Sequence, residues 1–399
     1  MRTTRREVLG GALAFAVLAG CRREPVAATR AAGRLFAETT GGMVAVDLAG
    51  GVVERRFGDA VPDGRWRRMH EVDGGELKVR AVTTGEVVGQ WVLRGVSRIK
   101  AISRSGDVVA VGPPPGPRRS TPLSLAGPGG VRGLRLDGNI EPEAFSSDGQ
   151  VMYVLDYLPP TAPDRYRVRM LDLADGRLYP LLTRDKKVVP EGKEEEMRGR
   201  GRQAVLDAGR GVLYTLYTHQ PDHLHTRDLI AGHDDEPDVH AFVHVLNLEQ
   251  RWAYCLDLPQ PFGLGPPDGH TLALDPAGGT LYVHNATSGR VVRADTQDLT
   301  IKQSTIVPVR PGTRAYALAG EERLYLAAGQ GIQVLDGPTL APRGAWPLPG
   351  AARGLAAIRG EVLAGAGERV VRLDATTGAP HGSLTLPGLL AVRHATNPA

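Results

Sequence analysis

Cysteine is nearly absent from this 399-residue chain, which holds only Cys21 and Cys255. Two cysteines cannot build a disulfide framework, so a small stapled scaffold is excluded. Aromatic residues make up only 5% of the chain. Basic tracts are missing as well: the formal net charge is +4, and both signs are mixed along the sequence. No nucleic-acid partner is expected, because binding that polyanion needs clustered Lys and Arg. No apolar run reaches the roughly 20 residues that a membrane-spanning helix requires. Catalytic signatures are missing too: there is no GxSxG elbow, no HExxH or Cys-x-x-Cys pair, and no glycine-rich loop leading into a helix. What is abundant is turn chemistry, with 51 Gly and 30 Pro. A long chain rich in turns, without sustained 3.6-residue periodicity, points to an all-β fold.

Residues 1–20 read as an address rather than as part of that fold. Arg2, Arg5 and Arg6 flank a short apolar run from Val8 to Ala19, and small residues close it. This is the layout of a secretory signal peptide. The Arg5-Arg6 pair resembles the twin-arginine export signal, which passes proteins already folded. The Leu18-Ala19-Gly20-Cys21 ending resembles the bacterial lipobox. That resemblance implies lipidation of Cys21 and a protein anchored to the membrane of the cell envelope on its extracytoplasmic side. Removing the segment takes away three Arg against Glu7, lowering the net charge from +4 to +2. Residues 21–33 then form the lipidated Cys and a small, polar tether.

From residue 34 to residue 396 one unit recurs: an apolar strand, an Asp or substitute, a tight turn, and a second strand. It appears as VAVDLAGGVVERRF from Val44, RMLDLADGRLYPLL from Arg169 and VVRLDATTGAPHGSLTL from Val370. The anchor positions are 47, 81, 125, 172, 247, 295, 336 and 374, and the third unit matches least well. Further strand pairs precede several hairpins, as in LALDPAGGTLYVHNA from Leu272. A period near 40–45 residues with four strands per unit is the mark of a β-propeller blade. The pattern predicts seven or eight four-stranded blades. Leu389 to His394 follows the last hairpin unassigned, while the first unit, opening at Arg34, lacks a preceding strand. The two are expected to pair, closing the ring with strands from both termini.

The Leu281-Tyr282-Val283 and Leu373-Asp374-Ala375-Thr376-Thr377-Gly378 segments resemble the YVTN and quinoprotein-like propellers, relatives of the WD-repeat group. The resemblance spans nearly the whole chain after the tether and implies a fold, not a function.

Two insertions, 184–202 and 219–240, fall in the one long gap between anchors. The first, RDKKVVPEGKEEEMRGRGR, reads as a solvated, mobile loop. The second begins a stretch, His219 to His244, that gathers six of the chain's eleven His among six carboxylates. Imidazole with carboxylate suits a transition metal such as Zn or Cu, and the candidate ligands are His219, His223, His225, His233, Asp235 and His240. The plainer reading is a polar surface loop, with His244 a hydrogen-bonded strand histidine. Cys255 stands alone, and Trp66, Trp91, Trp252 and Trp346 read as packing residues. Ser146-Ser147-Asp148-Gly149 reads as a type I turn.

Three functional readings follow. The first is an exported, membrane-anchored binding or interaction scaffold without catalysis, taking a protein, glycan or small-molecule ligand on its loops. The second is a metal-binding protein or metalloenzyme using residues 219–244. The third is a lactonase-like or quinone-dependent enzyme working in the axial channel.

Overall fold

The computed structural model describes residues 33–397, apart from 96, 200, 202, 221, 222 and 233–240. The export signal, Cys21 and nearly all of the tether therefore lie outside the described residues, as do His233, Asp235 and His240. The described chain forms eight four-stranded antiparallel sheets arranged in a ring, an eight-bladed β-propeller.

Each blade runs from an innermost to an outermost strand, and burial explains the residue pattern. Second strands are covered on both faces by neighbouring blades, so they read as continuous apolar runs. In Thr280–Asn285, Leu281, Tyr282 and Val283 are all buried. Outermost strands have one face in solvent and alternate, as in Thr300–Ile306.

The recurring Asp is a turn device. Its carboxylate accepts backbone N–H groups two and three residues on. Asp374 Oδ1 takes Thr376 N at 2.9 Å and Thr377 N at 2.7 Å. Asn247 does the same for Glu249 and Gln250 at 3.1 and 2.7 Å. Position 125 departs from this scheme. Leu125 lies inside the strand Ser120–Gly127, and the turn falls at Gly127 to Gly130, which is why the third unit matched poorly.

The ring closes as expected. Leu389–Thr396 is the innermost strand of the first blade and pairs antiparallel with Arg34–Thr39, which is followed by Gly42–Asp47 and Val52–Arg56. A buried ion pair ties this blade to the last. Arg372 donates to both oxygens of Glu361, at 2.9 and 3.0 Å, and to the carbonyl of Leu48 at 2.9 Å.

Two blades carry the insertions. The fourth comprises Asn139–Phe145, Val151–Leu158, Arg165–Asp172 and Leu178–Pro180. The fifth comprises Gln203–Asp207, Val212–Tyr217, Phe242–Asn247 and Trp252–Asp257.

Candidate metal centre

The charged run after the fourth blade is not a purely solvated loop, and here the expectation is corrected. Met197 and Val189 are buried, and Met197 bridges to Tyr166 of the fourth blade. Glu194 is held by Arg167 at 3.1 Å and Arg169 at 3.0 Å. Apolar side chains and a carboxylate–guanidinium cluster therefore pull the segment back onto the ring.

That anchoring places Glu195 at the centre of a polar cluster. The second insertion meets it there. A short helix, Thr226–Ala231, opens behind His225, whose N–H donates to Asp228 Oδ2 at 3.2 Å, and ends on Gly232 in the left-handed region. Thr226 N donates to Glu195 Oε2 at 3.2 Å, and Glu195 N donates to Thr226 Oγ1 at 3.3 Å. These reciprocal bonds clip the two insertions together.

The strand register supplies the rest. In the fifth blade His244 pairs directly with Cys255, so both side chains leave the same face at close range. Both are turned toward one oxygen of Glu195. His244 Nε2 lies 3.6 Å from Oε1, and the Cys255 thiol lies 3.2 Å from it. The other oxygen serves the insertion histidines: His225 Nδ1 lies 3.5 Å from Oε2, and His223 Nε2 lies 3.2 Å from His225 Nδ1. Glu195, His244 and Cys255 thus form one set of donors within 4.8 Å of one another, and Glu195, His223 and His225 form a second.

His223, His225 and His244 are all buried. Phe242 forms the apolar backing: the His223 ring stacks on it at 4.4 Å, and the His225 ring meets it edge-on at 5.0 Å. His225 Nε2 lies 2.7 Å from Asp257 Oδ1. Asp257 is in turn bound by Arg227, which also donates to the Cys255 carbonyl at 2.7 Å.

The electrostatics follow from burial and mutual charge. Burial opposes ionisation of Glu195, but His225, His244 and His223 outweigh it and hold the carboxyl well below the usual range. Burial works against a charged His225 too, yet Asp257 and Glu195 raise it to about 9. Burial lowers His223 to about 4, and it lowers His244. The Cys255 thiol is pushed far up by burial and then by Glu195.

Among the described residues, the histidine-rich stretch does not converge on one point. Of the residues expected from sequence, the structure brings His223 and His225 together and sets His219 apart. His219 Nε2 contacts the Gly265 carbonyl at 2.6 Å, and its ring faces His270 edge-on at 6.0 Å. His244 is a buried strand histidine as expected, but its Nε2 makes no hydrogen bond and instead lies 3.6 Å from the Glu195 carboxylate. Glu195 and Cys255 were not foreseen. Glu195 sits in a charged run and Cys255 is 60 residues away, so only the fold joins them.

No protein-family model matches the chain, and no curated relative is found at significant sequence similarity. Its likeness is to solved structures. Apo AztD from Citrobacter koseri superposes with a TM-score of 0.57 at 11% identity, over 92% of this chain and 98% of that one. A further structure of Citrobacter koseri AztD gives 0.57 at 10% identity, over 92% and 99%. Sqt1 from Saccharomyces cerevisiae gives 0.50 at 9% identity, over 81% and 83%. Identities this low establish a shared fold and say nothing about the donors around Glu195.

Proposed function

We propose that this protein is an exported, membrane-anchored β-propeller that binds a transition metal, zinc foremost, through Glu195, His244 and Cys255. The observation that carries the reading is the convergence of donor atoms from Glu195, His244 and Cys255 within 4.8 Å of one another, with the buried Nε2 of His244 making no hydrogen bond and lying 3.6 Å from Glu195 Oε1. A buried nitrogen that lacks a hydrogen bond beside a thiol and a carboxylate is stabilised when an ion binds all three. Carboxylate, imidazole and thiolate are the donors zinc prefers, and thiolate with imidazole also suits copper. The His223–His225 pair lies on the other oxygen of the same carboxylate and extends the donor set.

The surrounding residues fit supporting roles. Asp257 holds the far nitrogen of His225, the arrangement that orients a ligating imidazole. Arg227 fixes Asp257, and the Thr226 bonds fix Glu195. Because burial keeps the Cys255 thiol protonated, metal binding there releases a proton. On this reading the ion is cargo or a structural pin. The signal in residues 1–20 supports delivery to the envelope, and twin-arginine export would carry a ring already folded and loaded. The loops around the site remain its surface for further ligands.

Competitive zinc titration of the full-length protein tests the reading. Glu195→Gln and His244→Ala are each expected to weaken binding at least about 100-fold, and Asp257→Asn about 10- to 100-fold. His219→Ala should leave it unchanged. No zinc binding by the unaltered protein, or affinity indifferent to both Glu195→Gln and His244→Ala, overturns the proposal.

A further inference from the structure

A cavity lies between the fourth and fifth blades, with Tyr166 and Tyr217 in its lining. Its volume is about 370 Å³, and it adjoins a cleft of about 540 Å³ that shares Glu141, Tyr157 and Tyr166. Both fall within the range of about 300–1,000 Å³ typical of small-molecule sites.

The cavity is built around an irregularity. In the innermost strand Asn139–Phe145, Pro142 pairs with Val154 and Ala144 pairs with Tyr153, so Glu143 is the extra residue of a β-bulge. Bulges re-aim side chains and recur beside functional sites. Here the bulge turns a carboxyl into the cavity wall. Glu143 Oε2 is shut off from solvent and has no partner. On the facing strand Thr215 lines the same cavity, is only 6% exposed, and has an unpartnered hydroxyl. Two independent polar groups, from two blades, are thus left unsatisfied at one space.

Charge and shape narrow the occupant. Among the described residues no Lys or Arg lines this cavity, and the basic residues Lys100, Arg118 and Arg165 line the adjoining cleft instead. Glu141 is matched by Lys100 at 2.7 Å and accepts from Tyr157 at 3.3 Å, so it offers no spare charge to a cation. Burial, with Glu141 nearby, pushes the Glu143 carboxyl up to about 7. In its protonated form the carboxyl both donates and accepts, as do the threonine and tyrosine hydroxyls. Pro115, Leu155 and the tyrosine rings supply flat apolar surface between these groups. We infer that this cavity binds a small neutral polyhydroxylated molecule, a sugar, through Glu143 and Thr215. The inference stands apart from the metal site and needs nothing from it.

Ligand-observed NMR on the full-length protein, with glucose, N-acetylglucosamine and choline as probes, tests it. At least one of the two sugars is expected to bind. Glu143→Leu and Thr215→Val should each weaken that binding about tenfold, whereas Glu143→Gln, which keeps a donor and an acceptor, should stay within about threefold. An unchanged thermal midpoint in each variant shows that the ring remains folded. Neither sugar binding, sugar binding indifferent to Glu143→Leu and Thr215→Val, or choline binding alone with loss in Glu143→Gln, would each overturn it.

Discussion

Each oxygen of Glu195 faces a different donor set: Oε1 meets His244 and Cys255, and Oε2 meets His225. A single carboxylate therefore connects a charged loop, a short helix and two strands. The histidine density of residues 219–244 marked this neighbourhood in the sequence, but the central residue was hidden. A carboxylate in a KEEEM run looks solvated by composition, and only the buried Met197 and the Arg167–Glu194–Arg169 cluster reveal that the run folds inward. Cys255 was equally illegible, because its partners are distant in sequence. A further histidine makes a contrasting case. His284 is 3% exposed, neither ring nitrogen has a partner, and burial lowers its pKa to about 3. An unfolded histidine titrates near 6.5, so the folded state refuses a proton that the unfolded state accepts. Stability is therefore full above about pH 6.5 and declines as the pH falls toward about 3. His284→Leu removes both the orphaned nitrogens and this loss. Urea unfolding is expected to show the variant more stable by about 1 kcal/mol at pH 7.5. The gain should rise by about 2 kcal/mol more at pH 5. A gain that does not change with pH would contradict this account.

At the scale of elements, most of the architecture was readable. Hairpins recur because Asp and Asn side chains stand in for turn hydrogen bonds, and second strands are apolar because both their faces are covered. The pairing of the C-terminal strand with Arg34–Thr39 was also legible, from an unassigned strand at one end and a missing one at the other. The blade count was not, because the third hairpin turns on glycines rather than on an Asp. Closure brings together residues far apart in sequence, and the Arg372–Glu361–Leu48 contact locks the seam. Removing one partner of a buried pair leaves a charge without compensation. Glu361→Ala should therefore cost about 3–5 kcal/mol, measured by chemical denaturation, whereas breaking an exposed, salt-screened pair such as Lys302–Asp298 should cost far less. A loss at Glu361 no larger than at Asp298 would show that the seam does not depend on this pair.

At the scale of the whole molecule, the ring sets the strand residues His244 and Cys255 against the insertion residues Glu195, His223 and His225. The candidate metal centre and the Glu143 cavity share no lining residue, so the two sites can be altered separately. The most direct test of the central claim is elemental analysis of the full-length protein extracted by detergent from the membrane fraction of its native host. The account predicts about one equivalent of zinc or copper per chain, lost in Glu195→Gln. Protein recovered from that fraction without a transition metal, or with metal retained in Glu195→Gln, would contradict it.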